Sequence, residues 1–219
     1  MLPNNLEKFY GLLRDYNLTL KTQQEGLPEW FDIYSDDKPP KYWSMLADIL
    51  FDEDKDKFVL EIGSGLGDII ALAKFLGFKK VLGIEREAQL SKYANEKIKY
   101  FFAENESIIC DSYPMIFDRA PGILIQVNCV YYENMTSKKQ MVKMLKEWYS
   151  VNGIPELYIL ELIDAEFIEK SISYPEFVRF SEKEVKMIYK DTYIQSFNTY
   201  KYPQNKSTKR MYLIRQRNK

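Results

Sequence analysis

From residue 58 onward, short continuous apolar runs alternate with stretches whose apolar residues recur every three or four positions. Residues 58–62, 80–84, 107–110, 122–127 and 157–163 read as strands, and residues 68–76, 87–101 and 138–149 as the helices between them. Leu90, Ala94 and Ile98 align on one helix face, and Met141, Leu145 and Trp148 on another. Strands that are apolar without alternation are buried on both faces, so the pattern implies a mostly parallel sheet covered by helices.

The two ends follow other patterns. A first helix is expected over residues 5–16, with Leu6, Tyr10 and Leu13 on one face and Asn4 with Glu7 as a cap pair. A loop at 23–40 holds Pro28, Trp30, Phe31, Tyr34 and the pair Pro39-Pro40, and a second helix is expected over 42–51. With a charged linker following at 52–57, residues 1–52 read as an N-terminal helical cap or lid on a domain spanning 53–219. Near the other end, Ser181 and Glu184 make a capping box for a helix to about Tyr189. Residues 193–200 and 209–215 follow as strands with only Pro203, Asn205 and polar residues between them, an antiparallel hairpin.

Composition narrows the chemistry. Hydrophobic residues at 46% and charged residues at 29% describe an ordinary globular domain. No apolar run reaches bilayer length and the start Met1-Leu-Pro-Asn-Asn-Leu-Glu has no signal-peptide pattern, so a cytoplasmic protein is expected. Lys, Ile, Asn and Tyr are abundant, as expected for an AT-rich, bacterial genome. Cys110 and Cys129 fall at strands and are expected as free buried thiols. The chain has no histidine, which excludes Ser-His-Asp and Cys-His hydrolases and, with two cysteines, leaves no zinc site. Net charge is −1, yet from Thr192 to Lys219 there are seven Lys/Arg and no Asp/Glu. A solvated edge strand accounts for that block, as would a tail holding an anion or RNA.

The chemistry-bearing stretch is Glu61-Ile-Gly-Ser-Gly-Leu-Gly67. Glycines between a buried strand and a helix permit positive φ and bring a ligand against the backbone, while the helix N-terminus adds free N–H groups. Glu85 ends the next strand, where a carboxylate can accept hydrogen bonds from ribose hydroxyls. A nicotinamide fingerprint is spaced Gly-x-Gly-x-x-Gly, whereas Gly63, Gly65 and Gly67 are spaced two and two.

The Glu-x-Gly-x-Gly-x-Gly pattern resembles the first motif of class I S-adenosylmethionine-dependent methyltransferases. The resemblance runs over about residues 58–215, taking in Glu85, the Cys110-Asp111-Ser112 turn and the closing hairpin. It implies a Rossmann-like α/β fold with a mostly parallel seven-stranded sheet, helices on both faces and a C-terminal antiparallel hairpin. It also implies S-adenosyl-L-methionine as cofactor. Gly63, Ser64, Gly65 and Gly67 would lie against its methionine part, Glu61 would organise the loop or approach the amino group through water, and Glu85 would bind the ribose. Asp111 and Ser112 would face the adenine, and Gln126 and Asn128 would lie near the sulfonium and the acceptor.

The acceptor is less visible. The Asn/Asp-Pro-Pro-Tyr stretch of many amino-directed relatives is replaced here by Gln126-Val-Asn-Cys-Val-Tyr-Tyr132, which points away from bases and amides. Asn128, Tyr131 and Tyr132 suit a polar acceptor, and without histidine the candidates for a base are Asp164, Glu133 or a tyrosine, with Asp164 and Tyr131 as the catalytic candidates. The expectation is methyl transfer to an oxygen of a small sugar, phosphorylated or carboxylate metabolite, such as a surface-polysaccharide precursor. A small-molecule partner is expected, with no nucleic acid, membrane or metal, and monomer and homodimer both stay open. An RNA or protein methyltransferase using the basic tail, and a non-catalytic subunit that keeps the cofactor fold, are the alternatives.

Overall fold

The aliphatic run at residues 58–62 forms the central strand, β1 (Phe58–Ile62), with four of its five residues buried. The computed structural model describes residues 5–24, 27–36, 39–129, 132–167, 174–201 and 207–217, and not the side chains of 29, 33, 200, 201, 207 and 208. β1 pairs in parallel with β2 (Lys80–Glu85) on one side and β4 (Ile123–Gln126) on the other. β3 (Ile108–Cys110) extends the sheet beyond β2, and β5 (Leu157–Asp164) extends it beyond β4. β8 (Ser207–Gln216) runs antiparallel to β5, and β7 (Thr192–Lys201) antiparallel to β8, so the order is β3-β2-β1-β4-β5-β8-β7.

These are the seven strands and the closing hairpin expected from the sequence. An eighth, β6 (Arg179–Phe180), pairs Ile163 and Asp164 of β5 beyond the point where β4 has ended. Two residues are too few to carry a periodic signal, so β6 is not legible in the pattern.

Alternation along the strands divides the core in two. Val59, Val81, Ile125, Ile159 and Met211 face one layer, which joins residues of α1 (Leu6–Gln23), α2 (Lys41–Phe51), α3 (Asp68–Phe75) and α4 (Ala88–Phe102). Leu60, Ile84, Leu124, Leu160 and Tyr212 face the other, against α5 (Lys138–Ser150) and α6 (Glu182–Ile188). Leu13, Trp43 and Leu46 are nearly or fully buried in the first layer, so α1 and α2 are part of the core of the sheet domain.

Three details differ from expectation. α1 continues past residue 16 to Gln23, because Leu20 keeps the buried face and the Nδ2 of the polar Asn17 donates to Tyr34 O and Asp68 Oδ1. Its N-cap is Asn5, with no side-chain capping bond, while Asn4 lies outside the described residues. Cys110 is exposed where the end of β3 opens to the surface, Cys129 is buried, and both are free thiols. The capping box of α6 forms as read, with Ser181 Oγ accepting from the Glu184 N–H and Glu184 reaching back to the Ser181 N–H.

Candidate functional site

The strand order reverses between β1 and β4, and the crevice outside their carboxyl ends is where open α/β sheets bind ligands. A cavity of about 390 Å³ opens there, lined by the loop after β1, the end of β2, the segment after β4 and residues of the N-terminal region. Gly63, Gly65 and Gly67 all adopt positive φ, so the two-and-two spacing reflects three left-handed turns in five residues. The loop is seated from below: Gly63 and Ser64 donate their N–H groups to Ile84 O. A Cβ on Gly83 would stand 2.2 Å from Ser64 Oγ and 2.7 Å from Ile108 Cδ1, so β2 needs a glycine under the loop.

Glu85 is buried at the end of β2 and lines the cavity. Its Oε2 accepts the Gly65 N–H at 2.8 Å and its Oε1 accepts the Glu87 N–H at 2.9 Å. Each carboxylate oxygen has a second lone pair, which leaves the group able to accept from a ligand.

Glu61 also lines the cavity, is 1% exposed, and its Oε2 has no hydrogen-bond partner. Burial, opposed in part by a bond from Ser64 and reinforced by Asp68 and Glu85, pushes its carboxyl well above the usual carboxylate range. Asp68, the first residue of α3, is paired with the fully buried Lys97 at 2.7 Å, and burial pulls the Lys97 ammonium below its ordinary value.

The N-terminal segment closes one wall. A Cβ built on Gly65 would lie 3.5 Å from Cη2 of Trp30, so the indole stands over the glycine loop. Tyr34 and Tyr42 line the same cavity, and Tyr34 Oη accepts from Tyr42 Oη at 2.7 Å and from Asn128 Nδ2 at 3.0 Å. On the far side, Lys209 of β8 donates to Asn128 Oδ1 and lies 3.8 Å from Glu161. Asn128 takes positive φ, and its N–H donates to Glu161 Oε2 at 3.1 Å. Arg86 grips Glu133 with both terminal nitrogens, at 2.7 and 2.5 Å, and this pairing holds the Glu133 carboxyl below the usual range.

No family model matches the chain, and no curated protein matches it. Solved structures do resemble it in shape. The N-methyltransferase NodS from Bradyrhizobium japonicum superposes with a TM-score of 0.61 at 11% identity, over 81% of this chain and 95% of that one. Magnesium protoporphyrin IX methyltransferase from Synechocystis, with bound SAM, gives 0.59 at 12% identity over 94% and 96%. The methyltransferase domain of a bacterial Hen1 gives 0.56 at 14% identity over 80% and 97%.

The fold is that of the class I methyltransferases.

Within this methyltransferase fold, Glu61, Gly63, Ser64, Gly65, Glu85 and Asn128 line the one cavity, and Gly67 is the N-cap residue of α3 beside it. Asp111 and Ser112 border a smaller neighbouring cavity of about 110 Å³, which shares Gly63 and Arg86 with the first. Gln126 borders neither cavity: its Nε2 donates to Cys129 O and its Oε1 accepts from Tyr158. Asp164 is buried away from both, with Oδ2 accepting from Arg210 Nε at 2.7 Å and Oδ1 capping the Glu166 N–H. Tyr131 lies outside the described residues.

Several contributors escape a sequence reading. Gly83 carries a usable signal, since a lone glycine inside a strand marks a close backbone approach. Asp68, Glu161 and Lys97 carry none, because each is an ordinary polar residue whose role appears only when distant segments meet. Three basic residues of the hairpin are paired: Arg210 with Asp164, Arg215 with Glu53 at 2.5 Å, and Lys209 beside Glu161.

Proposed function

We propose that this chain transfers a methyl group from S-adenosyl-L-methionine to an oxygen of a small polar acceptor, a sugar, phosphorylated or carboxylate metabolite. The observation that carries the reading is the meeting of three features in one cavity: the left-handed glycine loop, the half-used carboxylate of Glu85, and the unpartnered oxygen of Glu61.

Their chemistry fits the cofactor group by group. Glu61 is suited to an ammonium group, directly or through water, since a cation supplies the partner that its buried carboxylate lacks. Glu85 suits paired ribose hydroxyls, and the open loop with the N-terminus of α3 suits a carboxylate. Asp111 and Ser112, across Arg86 in the neighbouring cavity, suit an adenine. When bound, the cofactor supplies a methyl group on a sulfonium, a good leaving group that needs no activation by the protein. What remains for the chain is to hold the acceptor in line and exclude water, which is worth several kcal/mol. Trp30, Tyr34 and Tyr42 supply that enclosure.

Incubation with methyl-labelled S-adenosylmethionine and separate small-molecule, RNA and protein fractions of a bacterial extract tests the reading. Label is expected in the small-molecule fraction; label confined to RNA or protein would contradict it.

A further inference from the structure

Within the cavity, the hydrogen bonds around Tyr34 leave one proton unassigned. Lys209 is an ammonium and can only donate, so the Asn128 atom that faces it is the oxygen, and Asn128 Nδ2 therefore faces Tyr34. Tyr42 Oη has no other partner among the described residues and Tyr42 is the more deeply buried of the two phenols, so its proton is assigned to Tyr34 Oη, which satisfies this buried donor. Tyr34 Oη thus receives two hydrogen bonds, and its own proton has no acceptor among the described residues. The backbone of Tyr34 is fixed as well, by a bond from Asn17 Nδ2 to its carbonyl at 3.1 Å.

Resting on the methyl-donor reading of the glycine loop, we propose that Tyr34 is a specificity-determining residue that donates this proton to a carboxylate of the acceptor, and that the product is a methyl ester of that carboxylate. Burial pushes the Tyr34 hydroxyl up to about 12, which keeps it a donor and unable to serve as a base near neutral pH.

The carboxylates of the site point the same way. Glu133 and Glu87 are held by Arg86, Asp68 by Lys97, and Glu161 by Asn128 N–H with Lys209 near it, while on the methyl-donor reading Glu61 and Glu85 are taken by the cofactor's ammonium and ribose. A hydroxyl acceptor needs a base to take its proton, and these groups are already engaged. A carboxylate needs none. Its oxygen forms a bond to the methyl carbon as the carbon–sulfur bond breaks, the bonding pair stays on sulfur as a neutral thioether, and no proton moves. The two cations lining the cavity, Arg86 and Lys209, already face Glu133 and Glu161, which favours a singly charged anion over a phosphate dianion.

The test uses the full chain loaded with S-adenosylhomocysteine. Acetate, butyrate, hexanoate and benzoate are titrated against the matched primary alcohols, with saturation-transfer NMR as readout. At least one carboxylate is expected to bind saturably and more tightly than its alcohol. Tyr34→Phe is expected to weaken that binding about ten-fold, as for loss of a hydrogen bond to a charged group, with S-adenosylhomocysteine affinity unchanged. Equal binding of alcohols, equal binding of carboxylates by Tyr34→Phe, or no carboxylate binding by the loaded protein would each overturn the proposal. Failure of the folded wild type to bind S-adenosylhomocysteine would instead strike the cofactor reading beneath it.

Discussion

Gly65 donates its backbone N–H to Glu85 Oε2 at 2.8 Å, tying the glycine loop after β1 to the end of β2. One carboxylate therefore shapes the loop and faces the cavity at once. Glu85→Gln leaves a single acceptor oxygen for the Gly65 and Glu87 N–H groups and turns an amide N–H toward one of them. S-adenosylhomocysteine affinity is expected to fall roughly 10- to 100-fold, measured by calorimetry, with the far-UV spectrum unchanged.

Gly83 and Gly11 respond oppositely to the same change. A methyl on Gly83 runs into Ser64 and Ile108, whereas nothing stands within 4 Å of a Cβ on Gly11 in α1. Gly83→Ala is expected to destabilise the protein by about 1–3 kcal/mol, and Gly11→Ala to stabilise it by about 0.5–1 kcal/mol, both read from urea unfolding.

The elevated carboxyl of Glu61 makes stability depend on pH in a definite direction. A group whose pKa is raised on folding contributes stability that is fully present below its unfolded value and is lost as pH rises through its folded value. In the protein without cofactor, the Glu61 contribution to stability should therefore be lost as pH rises above about 4.5, the ordinary value from which Glu61 is raised. Glu61→Gln has no proton to lose, so its urea midpoint should exceed that of wild type near neutrality and converge with it in acid. Parallel curves for the two proteins would remove Glu61 as the source.

Asp164 binds Arg210 and caps a turn, away from both cavities. Asp164→Asn should cost about 1–3 kcal/mol of stability in urea unfolding and leave S-adenosylhomocysteine affinity within two-fold of wild type. A large loss of affinity with little loss of stability would give Asp164 a place in the site.

The strands and the loop were legible because burial on both faces leaves no room for polar alternation and because left-handed turns call for glycine: residues 58–67 show both in one stretch. Boundaries at ends were less so. α1 outruns its apolar pattern because Asn17 finds partners in Tyr34 and Asp68, from segments far along the chain. Asp164 fits the sequence picture of a base, a carboxylate at the correct end of a strand, and only the pairing of β5 with β8 brings Arg210 against it. The acceptor side depends on Tyr34, Asn128 and Lys209, and no local pattern joins residues so widely separated in the chain.

The most direct test of the central claim is calorimetric titration of the purified chain with S-adenosylhomocysteine, alongside NAD. One-to-one binding of S-adenosylhomocysteine, lost or strongly weakened in Glu85→Gln, with no heat from NAD, is the predicted result. A folded protein that ignores S-adenosylhomocysteine, or prefers NAD, would contradict it.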